Sequence, residues 1–250
     1  MKRTALAASA LSVAVLTGLT ACGGSSDAGS GSDTDAAADK PKATASQAKE
    51  ASVSPAERVA KLAITAADVG GYNVEEPSEE FIFAKSQDEV TLDKKVCAPL
   101  AYAMNQLPVG EPQADLTRVA SNGFANGYTY VTLTAYEDGG KAESAMAGLT
   151  KAVASCGDGF TAKANGNTSP YDSVAAEPVT DKAGAGDESL AFKSTMTFRG
   201  FTHGLHSAAV RKGDIIAVYF SVNGAAIAQS RPSDAKLPGA VVEAQNAKLG

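Results

Sequence analysis

Acyl transfer through a nucleophile needs a serine or cysteine, a base beside it, and an acid that orients the base. In this chain of 250 residues serine and aspartate are plentiful, but the only histidines are His203 and His206. There is no Gly-x-Ser-x-Gly elbow, and no Ser-x-x-Lys lies in a suitable setting. Gly184-Ala185-Gly186 leads into a strand pattern rather than a helix, so it reads as a turn and not as a phosphate loop. The densest set of donors is Arg199-Gly200-Phe201-Thr202-His203-Gly204-Leu205-His206. In extended backbone, two histidines three apart face opposite sides, so a shared metal would need a bend, which Gly204 could supply. The plain reading of this stretch is a polar turn between two strands. The functional reading makes Arg199, His203 and His206 contacts for an anionic or polar ligand. No catalytic set, metal site or cofactor is expected, and the chain reads as a binding protein rather than an enzyme.

The cysteines carry more. Three cysteines and two histidines are too few for an ordinary four-ligand zinc module with residues to spare. Near the start, Lys2 and Arg3 precede an apolar stretch from Ala5 to Leu19 that is broken by Ser9, Ser12 and Thr17. A membrane span needs about 20 apolar residues, so this stretch has the length of a signal-peptide core instead. Leu19-Thr20-Ala21-Cys22 follows, then Gly23-Gly24. This resembles the lipobox of bacterial lipoproteins. The resemblance implies that residues 1–21 are a signal peptide cut before Cys22, whose thiol takes diacylglycerol and whose new amine is acylated. Such a protein sits on the outer leaflet of the cytoplasmic membrane, held by its lipid anchor and facing the extracytoplasmic side. The other reading is an ordinary secretory signal with an incidental cysteine. Residues 22–53 then form the lipidated end and a linker. Gly23 to Val53 contains no aromatic residue and no Leu, Ile or Met, so it is expected to be a disordered tether. Its reach is roughly 30 Å. Cys97 and Cys156 remain, and in that compartment an even pair is most simply a disulfide. A redox dithiol would favour adjacent cysteines.

The elements that position these residues begin at Ser54. Ser54-Pro55-Ala56-Glu57 has the pattern of a capping box before a Val59/Leu62/Ala63 stripe, predicting a helix that ends by Asp68-Val69-Gly70-Gly71. A short strand is expected around Phe81-Ile82-Phe83, and a helix from Val96 to Gln106 with Pro99 in its first turn. Tyr128 to Tyr136 is the clearest strand, followed by a helix from about Lys141 to Ser155. Phe160 to Ala164, Leu190 to Phe198, His206 to Val210 and Ile215 to Val222 read as strands, with a hairpin at Arg211-Lys212-Gly213-Asp214. A last helix starts near Pro238. The order predicts an α+β domain over residues 54–250, an antiparallel sheet with helices packed on one face. Hydrophobic residues make up 44% of the chain and the net charge is −6, or −8 once Lys2 and Arg3 are removed. That balance excludes nucleic acid as a partner.

Several of these stretches together resemble a known family. They are Leu62 to Gly71, Cys97-Ala98, the strand and alanine-bearing helix ending Val153-Ala154-Ser155-Cys156, and the hairpin from Val210 to Val218. Over about residues 56–250 they are similar to the PknH-like extracellular sensor domain, which occurs behind mycobacterial kinases and alone in actinobacterial lipoproteins. The resemblance implies an α+β fold held by disulfides, with a cleft that receives a ligand. This chain departs from the family in lacking a second disulfide and in having Val153 where a tryptophan often stands. The expected partners are the membrane, through the anchor, and an unidentified extracellular small molecule or envelope protein. The competing function is a cell-envelope lipid carrier, which needs a large internal apolar cavity. After residue 54 the chain is rich in alanine and poor in Leu, Ile and Phe, which predicts a filled core.

Overall fold

The computed structural model describes residues 53–180 and 186–250. Cys22, the signal peptide, the tether before Val53 and the Gly184-Ala185 turn lie outside the described residues. The chain divides into two units, Met1–Ala48 and Lys49–Gly250, and every described residue belongs to the second.

Helix α1 (Pro55–Leu62) starts as expected: Ser54 Oγ accepts from the Glu57 N–H, and the Glu57 carboxylate accepts from the Ser54 N–H. It stops earlier than the sequence predicts. Ala63 is extended, and the fully buried Ile64 gives its N–H to Gln245 Oε1 at 3.1 Å while Gln245 Nε2 donates to Leu62 O at 2.8 Å. One glutamine from the last helix thus satisfies the groups that another helical turn would have satisfied. Strand β1 (Asn73–Glu75) follows. The strand expected at Phe81-Ile82-Phe83 is absent: Glu79–Phe81 is a 3-10 turn, and Phe83 O accepts from Asn165 Nδ2 instead of joining a ladder. Strand β2 (Thr91–Leu92) precedes a 3-10 turn, Lys95–Cys97, that runs into α2 (Ala98–Ala103). Helix α2 is shorter than expected because Leu107 N–H returns to Tyr102 O at 3.1 Å, with Gln106 held at φ 63°.

Strands β3 (Ala114–Ser121) and β4 (Tyr128–Ala135) lead to α3 (Gly139–Ser155), which begins as soon as Asp138 can accept from the Lys141 N–H. Next come β5 (Phe160–Ala164), β6 (Asn167–Tyr171), β7 (Ser173–Glu177) and β8 (Glu188–Phe198). The order closes with β9 (Phe201–Lys212), β10 (Ile215–Val222), α4 (Gly224–Ala228), β11 (Ser233–Ala235) and α5 (Gly239–Leu249). The main sheet runs β1-β3-β4-β10-β9-β8-β7, antiparallel throughout, with β11 added parallel to β9. A small antiparallel sheet runs β2-β5-β6.

The α+β class with an antiparallel sheet is as expected. The helices, however, cover both faces. Ile216, Val218 and Phe220 of β10 pack in one cluster with α2 and α3, whereas Ile215, Ala217 and Tyr219 pack in a second with Val59 of α1 and Val241 and Val242 of α5. The sequence signal for this is the unbroken apolar run of β10, which buries both sides of a strand where an alternating pattern buries one.

Candidate functional site

An open cleft of about 730 Å³ lies beside β3. It exists because β1 stops short. β1 pairs only with Val119 to Ser121 of β3, and Pro77, without an N–H to donate, follows just beyond its end. Among the described residues the edge of β3 from Ala114 to Arg118 therefore has no partner strand on that side. Residues 76–88 swing away and form the opposite wall, and Asp115, Leu116, Thr117 and Arg118 line the cleft in unbroken succession. Gln87 Nε2 ties the two rims together, donating to Pro108 O at 2.8 Å and Gly110 O at 2.9 Å. Tyr136 Oη donates to Val109 O beneath them.

The charges in the cleft are unevenly used. Arg118 pairs with Glu76 at 3.3 Å. Asp115 has no ion pair or side-chain hydrogen bond among the described residues. It is open to solvent at the cleft mouth, but the protein crowding its carboxylate pushes its carboxyl up from the usual carboxylate range. Gln106 is half-buried, and its Oε1 is a buried acceptor with no hydrogen-bond partner. Glu79, Asp88 and Lys85 complete the charged lining. With its positive φ, Gln106 stands where a helix C-terminus ordinarily places glycine, and that is the one sequence-level sign of this site. Asp115 gives no such sign, since only the break in β1 distinguishes it from other aspartates.

The structure does not gather Arg199, His203 and His206 into one site. Arg199, at φ 50°, and Gly200, at φ 81°, make the tight turn between β8 and β9, and the Arg199 guanidinium lies 5.1 Å from the centre of the Phe198 ring. Strand β9 then runs unbroken through both histidines, which face opposite sides. His203 is completely enclosed, with Nδ1 2.9 Å from Ser233 Oγ and Nε2 without a partner. Burial pushes its pKa down. His206 is nearly as buried. Its Nδ1 lies 2.7 Å from Glu177 Oε2 and its Nε2 2.8 Å from Asp234 Oδ1, so each ring nitrogen faces a carboxylate. The Lys193 ammonium at 2.9 Å, with the His206 ring, holds the Asp234 carboxyl well below the usual range. Lys236 pairs with the other Asp234 oxygen at 3.1 Å. Gly204 makes no bend. It lies in regular strand, and only glycine fits there because a Cβ would clash with Asp234 Oδ1. His206 and Lys236 also border a second cavity of about 350 Å³ against Leu237 and Val242. Among the described residues no group of three His, Cys, Asp or Glu side chains is disposed to hold a metal ion.

Cys97 and Cys156 form a disulfide that joins the 3-10 turn before α2 to the C-terminal end of α3.

No protein-family model matches the chain, and no curated protein does. Among solved structures it is similar to the crystal structure of the extracellular domain of PknH from Mycobacterium tuberculosis. The two are 11% identical with a TM-score of 0.48, over 79% of this chain and 94% of that one. It is also similar to an uncharacterized protein of Mycobacterium smegmatis, the Rv0999 ortholog. That pair is 12% identical with a TM-score of 0.37, over 76% of this chain and 96% of the other. Neither likeness assigns a residue of the cleft.

Proposed function

We propose that this protein is a lipid-anchored, extracytoplasmic, sensor-like binding domain that holds a ligand in the β3 cleft without turning it over. The observation that carries the reading is the cleft itself, an open cavity of about 730 Å³ whose wall presents the unpaired Asp115 carboxylate. Its lining combines apolar side chains such as Ile82, Leu107 and Leu116 with charged groups that would orient a polar ligand. A lipid carrier would need an enclosed apolar chamber, whereas the apolar side chains here are packed into clusters on both faces of the main sheet. The lining contains no histidine, cysteine or tyrosine, so the Ser-His and Cys-His pairs of nucleophilic catalysis have no counterpart at the cleft.

The anchor rests on Leu19-Thr20-Ala21-Cys22 and is tested separately. Cys22→Ser is expected to move the protein from the membrane fraction to the medium, or to leave it uncut. Wild-type processing and membrane retention of that variant would overturn the anchor. For the cleft, amide resonances of ¹⁵N-labelled mature protein are followed against extract of the producing cell's envelope. Saturable shifts confined to residues 76–88 and 106–118 support the reading. Saturable shifts elsewhere with none in the cleft would place the site elsewhere and overturn it.

A further inference from the structure

We infer that the ligand of this cleft is an extended peptide segment that adds as a strand to the free edge of β3 and presents a cationic group to Asp115. The inference rests on the reading of the cleft as the binding site and names the class of ligand. Two independent features point to it.

The first is backbone. A strand with no neighbour offers a row of N–H and C=O groups that another chain can pair with, and natural edges of this kind are usually covered or blunted. Among the described residues no strand pairs with the edge of β3 over Ala114 to Arg118, and it forms one wall of a cavity rather than a bare rim. Strand addition to such an edge takes its affinity from main-chain hydrogen bonds and its selectivity from pockets for alternate side chains. Pro77, Pro108 and Pro112 around the cleft have no N–H and fixed φ, so its rims are set before a peptide arrives.

The second is charge. Arg118 is already paired with Glu76, which leaves Asp115, Glu79 and Asp88 against Lys85 in the lining. Asp115 has an exposed carboxylate with no ion pair or side-chain hydrogen bond among the described residues, whereas the unpartnered Gln106 Oε1 is sealed from solvent behind the lining. A lysine-like ammonium or an arginine side chain on the added strand supplies both donors and charge.

The test uses the mature full-length protein and four probes, followed by amide shifts. The first is a set of capped tetrapeptides of the form acetyl-X-Lys-X-Lys-amide, with X drawn from Ala, Val and Ser. The second is the same set with N-methylated backbone, the third replaces Lys by Glu, and the fourth is putrescine. Expected are saturable shifts along residues 114–118 with the lysine peptides, and at least tenfold weaker binding of both the N-methylated and the glutamate sets. Asp115→Asn, isosteric at a solvent-reachable position, should weaken the lysine peptides about tenfold and leave the melting temperature unchanged. Equal binding of the N-methylated set, or putrescine binding as tightly as the peptides, would overturn strand addition. Equal binding of the glutamate set would overturn the cationic requirement. A concentration-dependent dimer that occupies residues 114–118 would make a second copy the occupant and refute the proposal. Silence of the cleft towards every probe, while envelope extract still shifts it, would overturn the peptide class and leave the site standing. Silence towards both would remove the site as well.

Discussion

Gln106 sits at a backbone position that costs a side-chain-bearing residue on the order of 1 kcal/mol. Its φ of 63° is imposed by the hydrogen bond from Leu107 to Tyr102 that ends α2, so the cost is not relieved by local movement. Replacing it by glycine should therefore stabilise the protein by about 1 kcal/mol, read as a raised urea midpoint. A loss of stability would show that the glutamine is held for its packing instead. His203 makes a different prediction at the same scale. Burial lowers its pKa, so the native state holds it neutral, while the unfolded chain takes up a proton near the ordinary value of 6.5. A depressed value of this kind gives stability that is present above that pH and lost as the pH falls below it. Denaturant midpoints should drop between pH 7.5 and pH 5, and His203→Gln should flatten that drop. An equal drop in the variant would assign the acid sensitivity to other groups.

At the scale of elements, two ties hold segments that are distant in sequence. The Cys97–Cys156 disulfide joins residues 59 apart and lies within the cluster formed by α2, α3 and one face of the sheet. Lys94 Nζ donates to Gly159 O at 2.6 Å and Asp93 accepts from the Thr161 N–H at 2.8 Å, so the same two segments are also joined by hydrogen bonds. Closing a loop of that length lowers the entropy of the unfolded chain by an amount worth up to about 4 kcal/mol. Reduction should lower the melting temperature markedly while native-like far-ultraviolet ellipticity persists below it. An unchanged melting temperature would mean that the hydrogen bonds suffice. The second tie is Glu177–His206–Asp234–Lys193, which links β7, β9, β11 and β8. Gly204→Ala drives a methyl group into Asp234 Oδ1 and should cost about 1–2 kcal/mol through the loss of charge-assisted hydrogen bonds. The Asp234→Asn variant should already have lost most of that energy, so the double mutant should be little worse than either single one. Additive losses in the double mutant would show that Gly204 acts independently of Asp234.

At the scale of the whole molecule, one sheet separates two clusters, and its strands β9 and β10 contribute to both. Loss of either cluster exposes strands that the other needs, so the domain should unfold in a single cooperative transition, with tyrosine fluorescence and far-ultraviolet ellipticity coinciding. Two separated transitions would show that the faces melt independently. What the sequence alone determined is what depends on neighbours a few residues away. Ser54 and Glu57 start α1, Asp138 starts α3, Gly213 turns β9 into β10, and the alternation of Leu190 to Phe198 makes a strand, because caps, turns and periodicity act within one or two turns of chain. An unpaired Cys97 and Cys156 likewise pointed to each other by elimination. Tertiary structure decided the rest. Nothing local to Leu62 says that Gln245, 183 residues away, will end the first helix. Nothing in the spacing of Arg199, His203 and His206 says that the strand between them continues straight, so that one histidine is enclosed on each side. The cleft is set by where β1 fails to follow β3, and a free edge is a property of the neighbour that is missing, which a strand's own residues do not encode.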